Sequence, residues 1–359
     1  MAHLLLAGYF GCGNLGDDAV LLGFIQGLGS GFEVTVLSGA PEETFRNYGL
    51  PSAPRKDLAA VDEAIKRCDA LVLPGGGICQ DVTSLKSGGY YGQLVKRAKS
   101  SGKKVFLVGQ GVGPLESFFG KRWAVSAFNA ADAVVVRDPG SAAALRDLGV
   151  KTPIRVGADS AFLLPKPIER DDQTSFQVGN MHTVGLAPRP FGKKPKEVAQ
   201  LFADVVRLLF QANYMPVLVE MDREMDGPLI QEISKAHGGK VPDLRKIQSP
   251  MQLQQRIARM DALIAMRLHA GILATTVGVP PFMVSYDPKV AALSKLLDLG
   301  GGLNVEGLTA QRLFDNFQLF QKDRERHLKI MERKRAELAK LAEANVEVVR
   351  ESLMGSATR

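Results

Sequence analysis

Two basic residues and a histidine lie close together between Asp261 and Lys289 (DALIAMRLHAGILATTVGVPPFMVSYDPK), and their placement points to anion chemistry. The run Ala262 to Met266 is short, apolar and bounded, so it reads as a buried strand. Arg267 and His269 follow at once, and the small apolar residues Ala270 to Val277 read as a helix. A second buried strand covers Pro281 to Ser285 and runs into Tyr286, Asp287, Pro288 and Lys289. Open parallel sheets bind ligands outside the carboxyl ends of their strands. Arg267, His269 and Lys289 are therefore expected on one rim, beside a helix N-terminus whose N–H groups and dipole favour negative charge. Arg137 ends a comparable run, Ala133 to Val136, in the first half of the chain. Two such halves in tandem would set the two arginines on facing rims of a cleft, which favours a shared role in binding one anion.

A glycine loop follows the first apolar run: Gly11-x-Gly13-x-x-Gly16, with Asn14, Asp17 and Asp18. The spacing matches a dinucleotide fingerprint, but the second strand ends Leu37-Ser38-Gly39 without the acidic residue that would hold a ribose. Carboxylates in the first helical turn would also repel a pyrophosphate. They suit a hydroxyl-rich ligand, or a base that takes a hydroxyl proton. The alternative is that the glycines only make a tight turn and Asp17 caps the helix. Gly75-Gly76-Gly77 with Gln80 and Asp81 lies at another strand end, where bare backbone admits a ligand or simply turns. Gln110 between Gly109 and Gly111 is a weaker version of the same pattern.

These residues are carried by alternating strand and helix patterns, which imply parallel βαβ units. The 359 residues suit two domains. The polar, unperiodic stretch 166–180 reads as a linker between Rossmann-like domains at 1–165 and 181–320, and 321–359 reads as one long charged helix and a tail. Hydrophobic content of 45% and charged content of 23% are ordinary for a globular protein. The net charge of +7 suits an anionic substrate or membrane surface; no zinc-finger spacing or aromatic-basic cluster points to nucleic acid. Three scattered cysteines, Cys12, Cys68 and Cys79, fit a reducing compartment and no metal site. With no leader and no membrane-length apolar run, the expected location is cytoplasmic, compatible with a peripheral contact at the inner face of the membrane.

Five blocks together resemble the polysaccharide pyruvyl transferases, nearest to the CsaB type of bacterial cell-surface polymer synthesis. They are GYFGCGNLGDDAVL at 8–21, PGGGICQD at 74–81, VGQGVGP at 108–114, VVRDPGS at 135–141 and MRLHAGILATTVGVPPFMVSYDPKV at 266–290. The resemblance implies an α/β fold of glycosyltransferase B type, two Rossmann-like domains around a cleft, with the acceptor on the first and the donor on the second. It implies phosphoenolpyruvate as donor substrate, no cofactor, and a 4,6-linked pyruvate ketal as product. The implied acceptor is a lipid-linked or polymeric glycan containing N-acetylmannosamine, whose pyruvylated polymer anchors surface-layer proteins. The donor-site residues of the family fall on Arg137, Arg267, His269 and Lys289. The family often carries an Arg-Pro-Trp element early in the second domain; this chain has Arg189-Pro190-Phe191, with the arginine kept beside a smaller ring.

The residues themselves agree with such a donor. A phosphate and a carboxylate on one molecule need several cations, and arginine recognises both in bidentate fashion. The enol carbon needs an acid, and His269 is placed either for that or for a phosphate contact. Asp17 is the candidate base on the acceptor side, with Asn14, Gly76, Gly77, Gln80 and Asp81 around the acceptor. A nucleotide-sugar transferase of the same fold is the nearest rival, disfavoured because no acidic residue lies between Arg267 and Tyr286. A non-catalytic glycan-binding protein and a dinucleotide oxidoreductase are the other readings.

Overall fold

A computed structural model describes residues 1–79, 85–167, 181–192, 195–300 and 302–355. The chain forms two compact units: Met1–Leu164 together with Glu337–Arg359, and Pro165–Ala336.

The first unit begins with β1 (Ala2–Ala7), α1 (Leu15–Leu28), β2 (Phe32–Ser38), α2 (Pro41–Tyr48) and β3 (Ser52–Pro54). It continues through α3 (Leu58–Arg67), β4 (Ala70–Leu73), β5 (Gly76–Cys79), α4 (Leu85–Ser100) and β6 (Lys104–Val112). Then come α5 (Phe118–Ala130), β7 (Ala133–Val136), α6 (Pro139–Asp147), β8 (Ile154–Val156) and a 3-10 turn at Ser160–Leu163. The strands form a parallel sheet in the order β3-β2-β1-β4-β6-β7-β8, with β5 beside β6. Burial on both faces explains the unbroken apolar runs of β1, β4 and β7. Their side chains alternate between two cores. Leu5, Leu71 and Val136 point to one, with α3 to α6; Leu4, Leu6, Val72 and Val135 point to the other, with α1.

The second unit runs β9 (His182–Ala187), α7 (Pro195–Gln211), β10 (Tyr214–Val219), α8 (Arg223–His237), β11 (Asp243–Leu244) and α9 (Pro250–Ile257). It continues β12 (Ala262–Ala265), α10 (Leu268–Val277), β13 (Pro281–Ser285), α11 (Pro288–Leu297), β14 (Leu303–Asn304) and α12 (Ala310–Lys322). Its strand order is β11-β10-β9-β12-β13-β14. Both sheets therefore reverse direction at one point, between β1 and β4 in the first and between β9 and β12 in the second.

Several expectations need correcting. The triple glycine is not only a turn: Gly76 and Gly77 belong to β5, with Gly76 paired to Gln110. α2, the three-residue β3 and α11 are not anticipated from the sequence. The C-terminal stretch is not one helix. After α12 it forms α13 (Arg324–Ala342) and α14 (Ala344–Met354). No glycine or proline occurs from 310 to 354, so packing makes the breaks. α12 packs Phe317 and Phe320 edge to face against Phe282 of β13. α14 instead inserts Ala344, Val346 and Val349 into the first unit's core, on the α1 side of the sheet.

Polar contacts fix α14 in place. Asn345, fully buried, donates to the Ala158 carbonyl at 2.9 Å and to Ser160 Oγ at 3.0 Å. Lys104 Nζ reaches the Ser352 carbonyl at 2.6 Å, and Arg350 donates to the exposed carbonyl end of α1 at Gly27 and Leu28. Removing the Asn345 amide leaves buried acceptors unsatisfied. Asn345→Ala is expected to destabilise the first unit by about 1–3 kcal/mol. Trp123, the chain's single tryptophan, lies in α5 and reports this unit's urea transition; an unshifted fluorescence midpoint would contradict the assignment.

Candidate active site

In the second unit the rim residues gather where the sheet reverses. Arg189 lies two residues beyond β9, Arg267 two beyond β12, and Tyr286 directly follows β13. Arg267 is 7% exposed and is the N-cap of α10, which has no side-chain cap. A buried guanidinium needs a counter-charge, and Asp226 of α8 supplies it. Arg267 Nε lies 3.1 Å from both Asp226 oxygens, and Nη2 donates to Oδ1. Asp226 is fully buried and also accepts the N–H groups of Met221 and Asp222, at 3.1 and 3.0 Å. Burial raises its pKa, and Arg267 acts in the opposite direction. Among the described residues these bonds engage Nε and Nη2 and leave the Nη1 side of the fork uncommitted.

Arg189 places its guanidinium 4.7 Å from the Tyr286 ring centre and donates from Nη1 to the phenol oxygen. Phe191 lies beside the same ring, 5.9 Å between centroids. The stacking partner of Arg189 is thus Tyr286, nearly a hundred residues on. Burial raises the Tyr286 pKa while the charges of Arg189 and Arg267 oppose that, so both arginines act on one phenol. His269 is half-buried in the first turn of α10. Lys289, in the first turn of α11, lies 3.4 Å from Asp287, the cap of that helix. Carboxylates, absent from the sequence between Arg267 and Tyr286, follow β10 instead: Glu220 directly after the strand, Asp222 at the cap of α8 and Asp226 in its first turn. Asp222 caps α8, and Asp226 is committed to Arg267.

The first unit carries a similar pair. Arg137, also 7% exposed, donates from Nη1 to buried Asp159 at 3.0 Å, with Asp138 3.8 Å from Nε. Gly111 is explained by it: a Cβ there would lie 2.5 Å from the Arg137 guanidinium carbon. Gln110 ties strands together, donating to the Leu73 and Val108 carbonyls. At the reversal point, Gly11 has φ 61° and the loop closes on Asp18. Asp18 accepts from the Gly11 N–H at 3.0 Å and the Tyr48 hydroxyl at 2.8 Å. Asn14, not Asp17, caps α1, accepting from the Gly16 N–H at 2.9 Å. Asp17 is half-buried, and its charge reaches Cys12, Asp18 and Tyr91. Gln80 and Asp81 lie outside the described residues.

Sequence reasoning missed one cation here. Arg55, after the edge strand β3, is held 5.3 Å from the Tyr9 ring centre, 4.9 Å from Tyr90 and 5.9 Å from Tyr91. It donates to the Tyr91 hydroxyl at 3.1 Å, and among the described residues no carboxylate lies within ion-pair distance. The adjacent Tyr90-Tyr91 pair was the available signal. Asp159 and Asp226 gave none, because their partners are distant in sequence. Among the described residues no group of three or more His, Cys, Asp or Glu could hold a metal ion.

Two predictions follow from burial. Asp226→Ala strands the Arg267 charge and is expected to cost the second unit about 3–5 kcal/mol, read by hydrogen exchange in β9 and β12. Asp18 has its pKa raised from 3.8 to about 6, chiefly by burial. A carboxyl that holds its proton more tightly folded than unfolded loses stability as pH rises from about 4 to 6, and beyond that the loss is complete. Asp18→Asn keeps both hydrogen bonds with the Tyr48 hydroxyl reversed. It is expected to flatten that slope and to leave the unit up to about 3 kcal/mol more stable above pH 7, in Trp123-monitored urea melts at stepped pH.

The chain is 22% identical to the amylovoran biosynthesis protein AmsJ of Erwinia amylovora, over 82% of this chain and 86% of that protein. Among solved structures it resembles a putative UDP-N-acetylglucosamine 2-epimerase from Listeria monocytogenes, with TM-score 0.68 at 10% identity, covering 98% of this chain and 96% of that one. It also resembles Anabaena HepE in complex with UDP-glucose, with TM-score 0.61 at 13% identity, covering 99% and 100%. These likenesses establish the fold, two parallel-sheet α/β domains of glycosyltransferase B type. The model of the polysaccharide pyruvyl transferase family matches residues 14–288, from the Asn14 cap to the start of α11. On that match, the chain belongs to the polysaccharide pyruvyl transferases.

Proposed function

We propose that the protein transfers the pyruvyl group of phosphoenolpyruvate to a sugar in a cell-surface polysaccharide precursor. The product is a cyclic ketal, with an N-acetylmannosamine-containing glycan as acceptor. The observation that carries this reading is the state of Arg267. Asp226 clamps it along one edge, so its other edge is aimed without any rotamer left to order, at the start of an uncapped helix. Arg189, oriented by Tyr286, adds a second guanidinium acting on the same phenol. Such a pair suits a small ligand with a phosphate and a carboxylate.

The reaction balances as follows. The enol methylene of the donor takes a proton and becomes a methyl group. One sugar hydroxyl adds to the cationic carbon, the phosphate leaves with its bridging oxygen, and a second hydroxyl closes the ketal. Of the two hydroxyl protons lost, one replaces the proton given to the methyl group and the other leaves with phosphate. His269 is the proton donor or a phosphate contact, and Asp17 takes a hydroxyl proton on the acceptor side, beside Asn14 and the Gly76–Gly77 backbone. Lys289 contributes further positive charge to the donor.

The test is phosphate release from phosphoenolpyruvate in the presence of N-acetylmannosaminyl acceptors. Arg267→Ala is expected to lower kcat/KM by about a hundredfold or more. For His269→Ala, a fall in kcat of about 10²–10⁴ at constant donor KM assigns the proton donor; a raised donor KM assigns the phosphate contact. Absence of acceptor-dependent release, with turnover of a nucleotide sugar instead, would overturn the proposal.

A further inference from the structure

The first turn of α5 exposes an apolar pair that no part of the proposed chemistry uses. Phe118 and Phe119 are 66% and 80% exposed, edge to face with ring centres 5.8 Å apart. The other exposed large apolar side chains among the described residues are separated in sequence. Two adjacent phenyl rings in water are unfavourable, and such a patch marks a surface that something covers. The helix is not misplaced, because its opposite face is well packed: Gly120, Ala124, Ala127 and Phe128 are buried. Trp123, half-buried, seats against Gly88 and Gly92 of α4, so the turn that bears the rings is anchored.

The charges beside the rings indicate what covers them. Lys121 and Arg122 are both exposed, and the Arg122 guanidinium lies 5.6 Å from the Phe118 ring centre. Glu116 is the one carboxylate from 113 to 126. Aromatic rings flanked by cations at a helix start are the composition of an interfacial anchor: rings enter the acyl boundary while cations meet anionic headgroups. Among the described residues no helix is long and apolar enough to cross a membrane. α5 starts at the carboxyl end of β6, the rim that also holds Gly111 and Arg137.

We infer that Phe118, Phe119, Lys121 and Arg122 dock the first unit onto an anionic lipid bilayer. The use of this docking rests on the reading above, since it would bring the glycine-loop rim to an acceptor carried on a membrane lipid. The docking itself does not depend on that chemistry.

The experiment is cosedimentation of the full chain with phosphatidylcholine vesicles, with and without phosphatidylglycerol, in the absence of donor and acceptor. The chain is expected to partition about tenfold better onto the anionic vesicles, and to be released by salt. The double variant Phe118→Ser, Phe119→Ser is expected to lose that partitioning by about tenfold. Lys121→Gln with Arg122→Gln is expected to remove the preference for anionic lipid. Both should keep the wild-type urea midpoint and wild-type turnover of a water-soluble acceptor. Failure of the wild type to bind either vesicle would overturn the inference, as would undiminished binding by the serine variant. Wild-type self-association that the serine substitutions abolish would assign the patch to a protein interface and likewise overturn it. Vesicle binding without any phosphate release would leave the docking in place and refute the pyruvyl transfer alone.

Discussion

A guanidinium buried at the end of a strand is tolerable only if a carboxylate is buried with it. That constraint shapes both halves of this protein. Arg267 with Asp226 and Arg137 with Asp159 are paired at 7% exposure of each arginine. Either charge alone would be costly in such surroundings. The carboxylate also fixes which edge of the fork is spent, and hence which edge faces outward. Helices are placed to serve this arrangement: α8 begins where Asp226 can reach β12, and the 3-10 turn begins on Asp159.

The same constraint separates what the sequence disclosed from what it hid. β7 and β13 were legible to the residue and β12 to within one residue, because strands covered on both faces must be apolar throughout. Arg137, Arg267 and His269 were legible as strand-end residues, and Arg189 through the family resemblance. Their partners were not. Asp226 is 41 residues before Arg267, Tyr286 is 97 after Arg189, and only the fold brings them together. Local pattern also misassigned the cap of α1, since Asn14 and Asp17 are both good caps and backbone geometry chose the former. The breaks after α12 and α13 left no trace in composition, because neither uses glycine or proline.

The two rims differ in chemical character. The second unit sets two arginines on one tyrosine, with His269 in the first turn of the helix that Arg267 starts. The first offers bare glycine backbone, a half-buried Asp17, and an arginine among tyrosines, which is the vocabulary of hydroxyl and ring recognition. The asymmetry fits the anionic donor and sugar acceptor proposed above. It arises from different loops on two sheets of the same design.

The return of α14 to the first unit has a consequence for how the chain is made. The second unit, Pro165–Ala336, is contiguous and can close its core as soon as it is synthesised. The sheet of the first unit is translated before the second unit but lacks Ala344, Val346 and Val349 until the segment after the second unit appears. That sheet must wait with one apolar face only partly covered, by α1, through the synthesis of the whole second unit. Of the two units, the one begun first is therefore the one completed second, and the interval between is when it most needs protection from aggregation.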